Sequence, residues 1–148
     1  MKIDKLKYWS LIAEIVGGVA IVVTLVILVY ELQRNTSAIQ RATYSEITES
    51  VDEWRATLTL NPEVRATLAS LDNGEVLTPD QESIRLGRGR TLYSIYERAF
   101  WANEYGHVGE SEWARFERMI CRAVPRFWDE EGAFVFTDEF VAYIHACP

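Results

Sequence analysis

The stretch from Leu11 to Tyr30 constrains this chain more than any other feature, because nearly all of its side chains are apolar. It reads LIAEIVGGVAIVVTLVILVY, and Glu14 is its only charged residue. About twenty residues of α-helix extend over ~30 Å, which is the thickness of the hydrocarbon core of a bilayer. The run predicts a transmembrane helix over residues 9–32, with membrane lipids as its surroundings.

A signal peptide is the alternative interpretation, since it also begins with a basic segment such as residues 1–8. Its apolar core has only ~7–15 residues and is followed by a small-x-small cleavage site. The core here is longer, and the segment YELQR at residues 30–34 offers no such site. We therefore expect an uncleaved, single-pass membrane anchor.

The flanking charges predict an orientation. Lys2, Lys5 and Lys7 precede the apolar run, whereas Arg34 and Arg41 follow it within the ~15–20 residues that matter for topology. This bias favours a cytoplasmic N-terminus and a C-terminal domain in the periplasm or outside the cell. The net charge of −7 argues against nucleic acid as a partner, because phosphate binding needs a basic face.

The sequence after the run predicts only helices. Apolar side chains recur at helical spacing over an extension at residues 33–60, and no later segment alternates with period two. In the soluble domain at 61–148, we expect helices from Pro62, from Thr78 to Tyr105, from Ser111 to Pro125 and from Thr137 to Ala146, with one more turn at 126–131. The predicted fold is all-α: a transmembrane helix that extends into a small antiparallel helical bundle.

Aromatic residues become frequent toward the C-terminus. Aromatics at helical spacing usually pack in a core, and the alternative is an exposed patch that docks on a partner or on lipid headgroups. The ten residues are Trp101, Tyr105, Trp113, Phe116, Phe127, Trp128, Phe134, Phe136, Phe140 and Tyr143.

Small and polar residues follow one side of the predicted membrane helix at alternating four- and three-residue steps. Lipid gains nothing from such residues, whereas they let helix backbones approach and hydrogen-bond. The predicted helix-packing residues are Ser10, Ala13, Glu14, Gly17, Ile21, Thr24, Leu28 and Glu31, and the pattern continues through Asn35, Ala38, Ala42, Ser45, Glu49 and Asp52. We expect lateral association, with a monomeric anchor as the alternative.

Glu14 is the least expected member of this set. A carboxylate costs about 2.5–3.5 kcal/mol at the centre of a membrane helix and less near its end. Glu14 lies five residues after Trp9, or roughly 7 Å along the helix. It is either a tolerated acid near the interface or a hydrogen-bonding group in a helix–helix contact, and a role in a proton path is a further alternative.

Arg85, Arg88 and Arg90 form a basic cluster inside a predicted helix, interleaved with Gly87 and Gly89. Because glycine disfavours helix by about 1 kcal/mol, either a neighbouring helix packs closely there or the helix is broken. The arginines either pair with nearby acids or bind an anion or a lipid headgroup. A phosphate loop is excluded, since its Gly-x-x-x-x-Gly-Lys pattern is absent.

The two cysteines, Cys121 and Cys147, leave three interpretations: a disulfide, two free buried thiols or, with His107 and His145, a metal site. A disulfide is favoured over zinc because zinc ligands usually come in closely spaced pairs. Hydrolase, zinc-protease and haem motifs are not present in the sequence. We therefore predict a protein without enzymatic activity, cofactor or metal.

Several short motifs in order resemble an uncharacterised family of small single-pass bacterial inner-membrane proteins. The resemblance begins with the basic start, the membrane helix and the motif ELQRNT at residues 31–36. Later pieces are ATY at 42–44, NPE at 61–63, LTP at 77–79, Glu97 with Phe100, Tyr105, Trp113, FW at 127–128 and residues 137–143. The resemblance implies a bacterial inner-membrane protein and brings no catalytic residues.

These observations predict a non-enzymatic structural or assembly protein that self-associates through its transmembrane helix. The first alternative is an accessory subunit of a larger energy-converting or transport complex, in which other membrane subunits are the partners. The second is a ligand sensor or enzyme with a pocket in the bundle near Arg88, Arg90 and His107.

Overall fold

The computed structural model describes residues 2–147, and at residues 2–7 and Leu11 only the backbone is described. The chain forms five α-helices and one turn of 3-10 helix, and the described residues contain no strand. The elements are α1 (Lys2–Leu60), α2 (Pro62–Asp72), α3 (Pro79–Glu104), α4 (Glu110–Phe127), η1 (Ala133–Val135) and α5 (Asp138–His145). The all-α prediction is confirmed. Met1 and the lysine side chains of the predicted basic segment lie outside the described residues.

The chain divides into two compact units after Ile39. The first unit is the N-terminal part of α1, whose most apolar 18-residue window has a mean hydropathy of 2.7. This helix is long and apolar enough to cross a membrane. Residues 13–39 are exposed without exception.

The second unit begins at Gln40 and is an antiparallel bundle. Residues 40–60 of α1 lie beside α3 in opposite directions, since Gln40 hydrogen-bonds to the Gly106 carbonyl and Trp54 to the Arg88 carbonyl. α4 reverses again, because Phe100 contacts Trp113 and the Tyr93 hydroxyl reaches the Ile120 carbonyl. The order of these contacts along the helices confirms the predicted antiparallel bundle.

The core of the second unit lies between these helices. Ala99, Ile120 and Phe140 are completely buried, and Tyr93 is 1% exposed. The aromatic prediction therefore holds for most of the ten residues, which are buried or pack against the core. Tyr105 and Phe134 differ, because their side chains are 68% and 81% exposed.

Local signals set most of the helix ends. Asn61 caps α2 through its side chain, and Thr78 caps α3 in a capping box with Gln81, as a threonine followed by proline predicts. Gly74 and Gly106 have φ values of +70° and +71°, the left-handed conformation that glycine adopts without strain. These helix boundaries follow from residues within one turn of the helix end.

The predicted limits of α4 are wrong at both ends. Gly109, not Ser111, precedes the helix, and its carbonyl accepts the first helical hydrogen bond from Trp113. The Ser111 hydroxyl instead donates to the Glu112 carboxylate. Pro125 lies inside the last turn, because α4 continues to Phe127 and the Trp128 amide bonds to the Val124 carbonyl. A separate helical turn at 126–131 is therefore not formed.

Candidate functional site

The predicted helix-packing residues lie on one side of α1 in the first unit. At 100° per residue they fall within an arc of about 100° on the helix circumference. All of them are exposed: Ser10, Ala13, Glu14, Gly17, Ile21, Thr24, Leu28 and Glu31. The structure thus brings the predicted residues to one face and leaves that face free for lipid or for another helix.

Gly17 and Thr24 show what this face offers. A Cβ added at Gly17 or at the adjacent Gly18 would meet nothing within 4 Å, so the backbone is open to close approach there. The Thr24 hydroxyl already donates to the Ala20 carbonyl at 2.9 Å. Because that hydroxyl is satisfied within the helix, it needs no partner from another chain. Glu14 is therefore the more demanding polar group on the face.

The pattern continues on α1 in the second unit, on the side turned away from the core. Ala42, Ser45, Glu49 and Asp52 are exposed there, whereas Ile47 and its neighbours on the other side are buried. A shallow groove follows the acidic residues along this surface. In the second unit the residues of this pattern are small at Ala42 and Ser45 and acidic at Glu49 and Asp52.

The arginine cluster of α3 contacts the protein itself. The Arg85 guanidinium donates to the Glu82 carboxylate and to the Arg126 carbonyl. The Arg88 guanidinium donates to the Trp54 carbonyl and to the Thr57 hydroxyl. The Arg90 guanidinium donates to the Asp129 carboxylate. Arg88 also lies 5.5 Å from the Trp54 ring centroid. Two of these arginines therefore satisfy backbone carbonyls of neighbouring helices, and anion or lipid binding by the cluster stays a prediction.

These contacts lower the pKa values of the two carboxylates that pair with the arginines. The Arg85 hydrogen bond and charge hold the pKa of Glu82 below its usual value, although partial burial opposes the shift. Burial alone would raise the pKa of Asp129, but hydrogen bonding and attraction from Arg90 lower it. Both carboxylates are therefore ionised at neutral pH and neutralise their arginine partners.

Of the two glycines in the arginine cluster, Gly89 packs against a neighbouring helix and Gly87 does not. A Cβ at Gly89 would overlap the Phe127 carbonyl oxygen, whereas one at Gly87 would meet nothing within 4 Å. Helix α3 is unbroken through both residues. Close packing of α4 therefore explains Gly89, and Gly87 has no such contact.

Cys121 and Cys147 form a disulfide that joins α4 to the residues after α5. The histidines are not part of a metal site with them. His145 pairs with Glu130 at 3.1 Å, and the exposed His107 follows Gly106 in the turn after α3. Among the described residues, no group of three or more histidine, cysteine or acidic side chains is arranged to hold a metal ion.

One contact was not foreseen from the sequence. The Glu97 carboxylate in α3 accepts hydrogen bonds at 2.7 Å from both the amide and the hydroxyl of Thr137, the residue that precedes α5. Thr137 itself matches a cap pattern, but its side chain makes no cap hydrogen bond within α5. Only the packing of α5 against α3 reveals Glu97 as its partner.

Comparisons of the chain with protein-family models, curated protein sequences and solved structures found no match. The resemblance to small bacterial inner-membrane proteins therefore stays a prediction. What the residues themselves offer is an exposed apolar helix with one polar and small-residue face, joined to a self-contained helical bundle.

Proposed function

We propose that this protein is a membrane-anchored, non-enzymatic assembly protein that self-associates through the first unit of α1. The observation that carries the proposal is the uniform exposure of residues 13–39. Apolar side chains cover all sides of this helix between Ile15 and Val29, a distribution that is stable in lipid and not in water. A bilayer supplies the apolar surroundings that a helix of this composition needs.

The packing face supports self-association within the membrane. Gly17 permits close backbone approach, and Glu14 gains more from a polar neighbour than from lipid. We place the end of the contact before Glu49. In parallel copies the exposed carboxylates of Glu49 and Asp52 would repel each other, which disfavours an extension of the contact into the second unit.

The disulfide and the charges support one orientation. Disulfides persist in oxidising compartments such as the bacterial periplasm, and the three N-terminal lysines favour a cytoplasmic N-terminus. We propose a bacterial inner-membrane protein with the second unit in the periplasm. A reporter that is active only in the periplasm should be active when it is fused to the C-terminus. If only a reporter that requires the cytoplasm is active there, the second unit lies in the cytoplasm and the proposed orientation is wrong.

The sensor alternative receives no support from the placement of its residues. Arg88 lies near the middle of α3 and His107 follows its C-terminal end, with the sixteen helical residues after Arg88 extending about 24 Å. Arg88 also contacts Trp54, whereas Arg90 contacts Asp129. These side chains do not surround one small-molecule pocket.

The test is native mass measurement of the full chain after gentle detergent extraction. Self-association predicts a multiple of the 17.0 kDa chain mass. Gly17→Leu should lower the oligomer fraction several-fold, since the new side chain blocks close approach. Gly18→Leu is the matched control, because it adds the same side chain about 100° away around the helix.

Three outcomes would count against the proposal. A wild-type monomer under mild conditions would exclude self-association. Equal loss in Gly17→Leu and Gly18→Leu would show that the predicted face is not the contact. A complex with a different membrane protein would instead favour the accessory-subunit alternative.

A further inference from the structure

The C-terminal helix α5 is too short to be stable alone. It contains eight residues, and isolated helices below ~12–15 residues are marginal in water. It follows η1 and a loop without regular structure after α4. Its position therefore depends on the contacts and bonds that hold it to α3 and α4.

Noncovalent contacts dock one face of α5 on the aromatic core. Phe140 is fully buried, with its ring centroid 5.6 Å from that of Phe100, and Ile144 is 1% exposed. The Glu97 carboxylate holds Thr137 at the start of the helix. These contacts are all formed by packing and can be lost when the helix moves away.

The disulfide adds the one covalent restraint on this helix. Cys121 lies in α4, and Cys147 lies two residues beyond the end of α5. Their separation of 26 residues encloses the last turns of α4, the loop, η1 and the whole of α5. Both cysteines are partly exposed, so a small dithiol reaches the bond.

The other helices of the second unit are held together without this bond. Trp54 and Arg88 exchange hydrogen bonds between α1 and α3, and Gly89 packs on Phe127 between α3 and α4. None of these contacts involves α5 or its loop. Loss of the disulfide should therefore act first on α5.

We propose that the Cys121–Cys147 disulfide is a redox latch for α5. In the oxidised state the bond keeps Phe140 docked. A dithiol reduces the latch by breaking the S–S bond: two electrons and two protons form two cysteine thiols, while the dithiol becomes a disulfide. Release of α5 then uncovers the aromatic surface that contains Phe100. This inference is independent of self-association by α1.

Hydrogen exchange followed by mass spectrometry tests the latch on the full chain in detergent, with and without dithiothreitol. Reduction is verified by a gain of about 2 Da. Amides of α5 should exchange at least about tenfold faster in the reduced protein, while amides at residues 79–89 of α3 keep their protection. This part of α3 is the internal reference because it packs on α1 and α4, whereas α5 docks on the later residues Glu97 and Phe100.

A double variant, Cys121→Ser with Cys147→Ser, provides the control. Without reductant its α5 should exchange as fast as that of the reduced wild type, and dithiothreitol should have no further effect. Equal α5 exchange in the oxidised and reduced wild type would overturn the proposal. Simultaneous loss of protection in α5 and at residues 79–89 of α3 would also overturn it, because the disulfide would then stabilise the whole second unit and not α5 alone. The wild-type comparison decides the question even if the variant does not fold.

Discussion

Identical side chains on α1 meet opposite surroundings in the two units. Val26 is 63% exposed and Val51 is 2% exposed, although both lie in one helix. Around Val26 the neighbouring residues are apolar on every side, whereas Val51 belongs to a stripe spaced by three or four residues. A stripe of apolar residues at this spacing is buried when one side of the helix packs against its neighbours. A helix that is apolar on every side needs apolar surroundings on every side. The two patterns therefore predict different partners for one continuous helix.

Truncation of these two valines should change the stability of the second unit by very different amounts. Val51→Ala should lower the free energy of unfolding of the second unit by about 2–3 kcal/mol, because it removes buried methyl groups and leaves a cavity. Val26→Ala should leave that free energy unchanged. Denaturant titration of the full chain in detergent, followed through tryptophan fluorescence, measures both. A comparable loss in Val26→Ala would show that the first unit contributes to the stability of the core and would contradict the difference between the two valines.

The apolar run and the stripe could be read from the sequence because each is a local pattern. So could the caps at Thr78 and the turns at Gly74 and Gly106, which depend on nearby residues. Glu97 could not be assigned, since its partner Thr137 is 40 residues away and only folding brings them together. The end of α4 was misplaced because packing of Phe127 in the core outweighs the local preference of Pro125 to end a helix.

Alanine substitution of Gly87 and of Gly89 should change the stability of the second unit in opposite directions. Gly89→Ala should destabilise the second unit by about 1–2 kcal/mol, because its Cβ would displace the Phe127 carbonyl and the gain in helix propensity offsets only part of the strain. Gly87→Ala, two residues earlier in the open, should stabilise by up to about 1 kcal/mol. Thermal unfolding of the two variants measures the difference in sign.

This pair also tests why the arginine cluster contains glycine. Destabilisation by both substitutions would mean that Gly87 has a packing role that the structure does not contain. Stabilisation by both would mean that α4 can move away from α3 at little cost. From the sequence the two glycines were equivalent, because only the direction of α4 determines which of them faces a neighbour.

The Arg90–Asp129 ion pair should make a small, pH-dependent contribution to the stability of the second unit. The pKa of Asp129 is lowered by Arg90 in the folded protein, so the unfolded chain takes up a proton first as the pH falls. The stabilisation is therefore present above the unfolded pKa of about 3.9 and is lost as the pH falls through the folded pKa. Water reaches Arg90, whose side chain is 43% exposed, and screening limits the effect to about 0.5–1 kcal/mol.

Asp129→Asn isolates this contribution. At pH 6 the variant should be less stable than the wild type by that amount, and the difference should shrink as the pH falls through the folded pKa of Asp129, because the protonated carboxyl no longer attracts Arg90. Asp52→Asn is the control, since the Asp52–Arg55 pair is exposed at both partners and should contribute little. A difference for Asp129→Asn that does not shrink as the pH is lowered would assign its cause to the shape of the loop after α4. That result would mean that packing stabilises this loop, as it does the rest of the second unit, and that the charge of Asp129 does not.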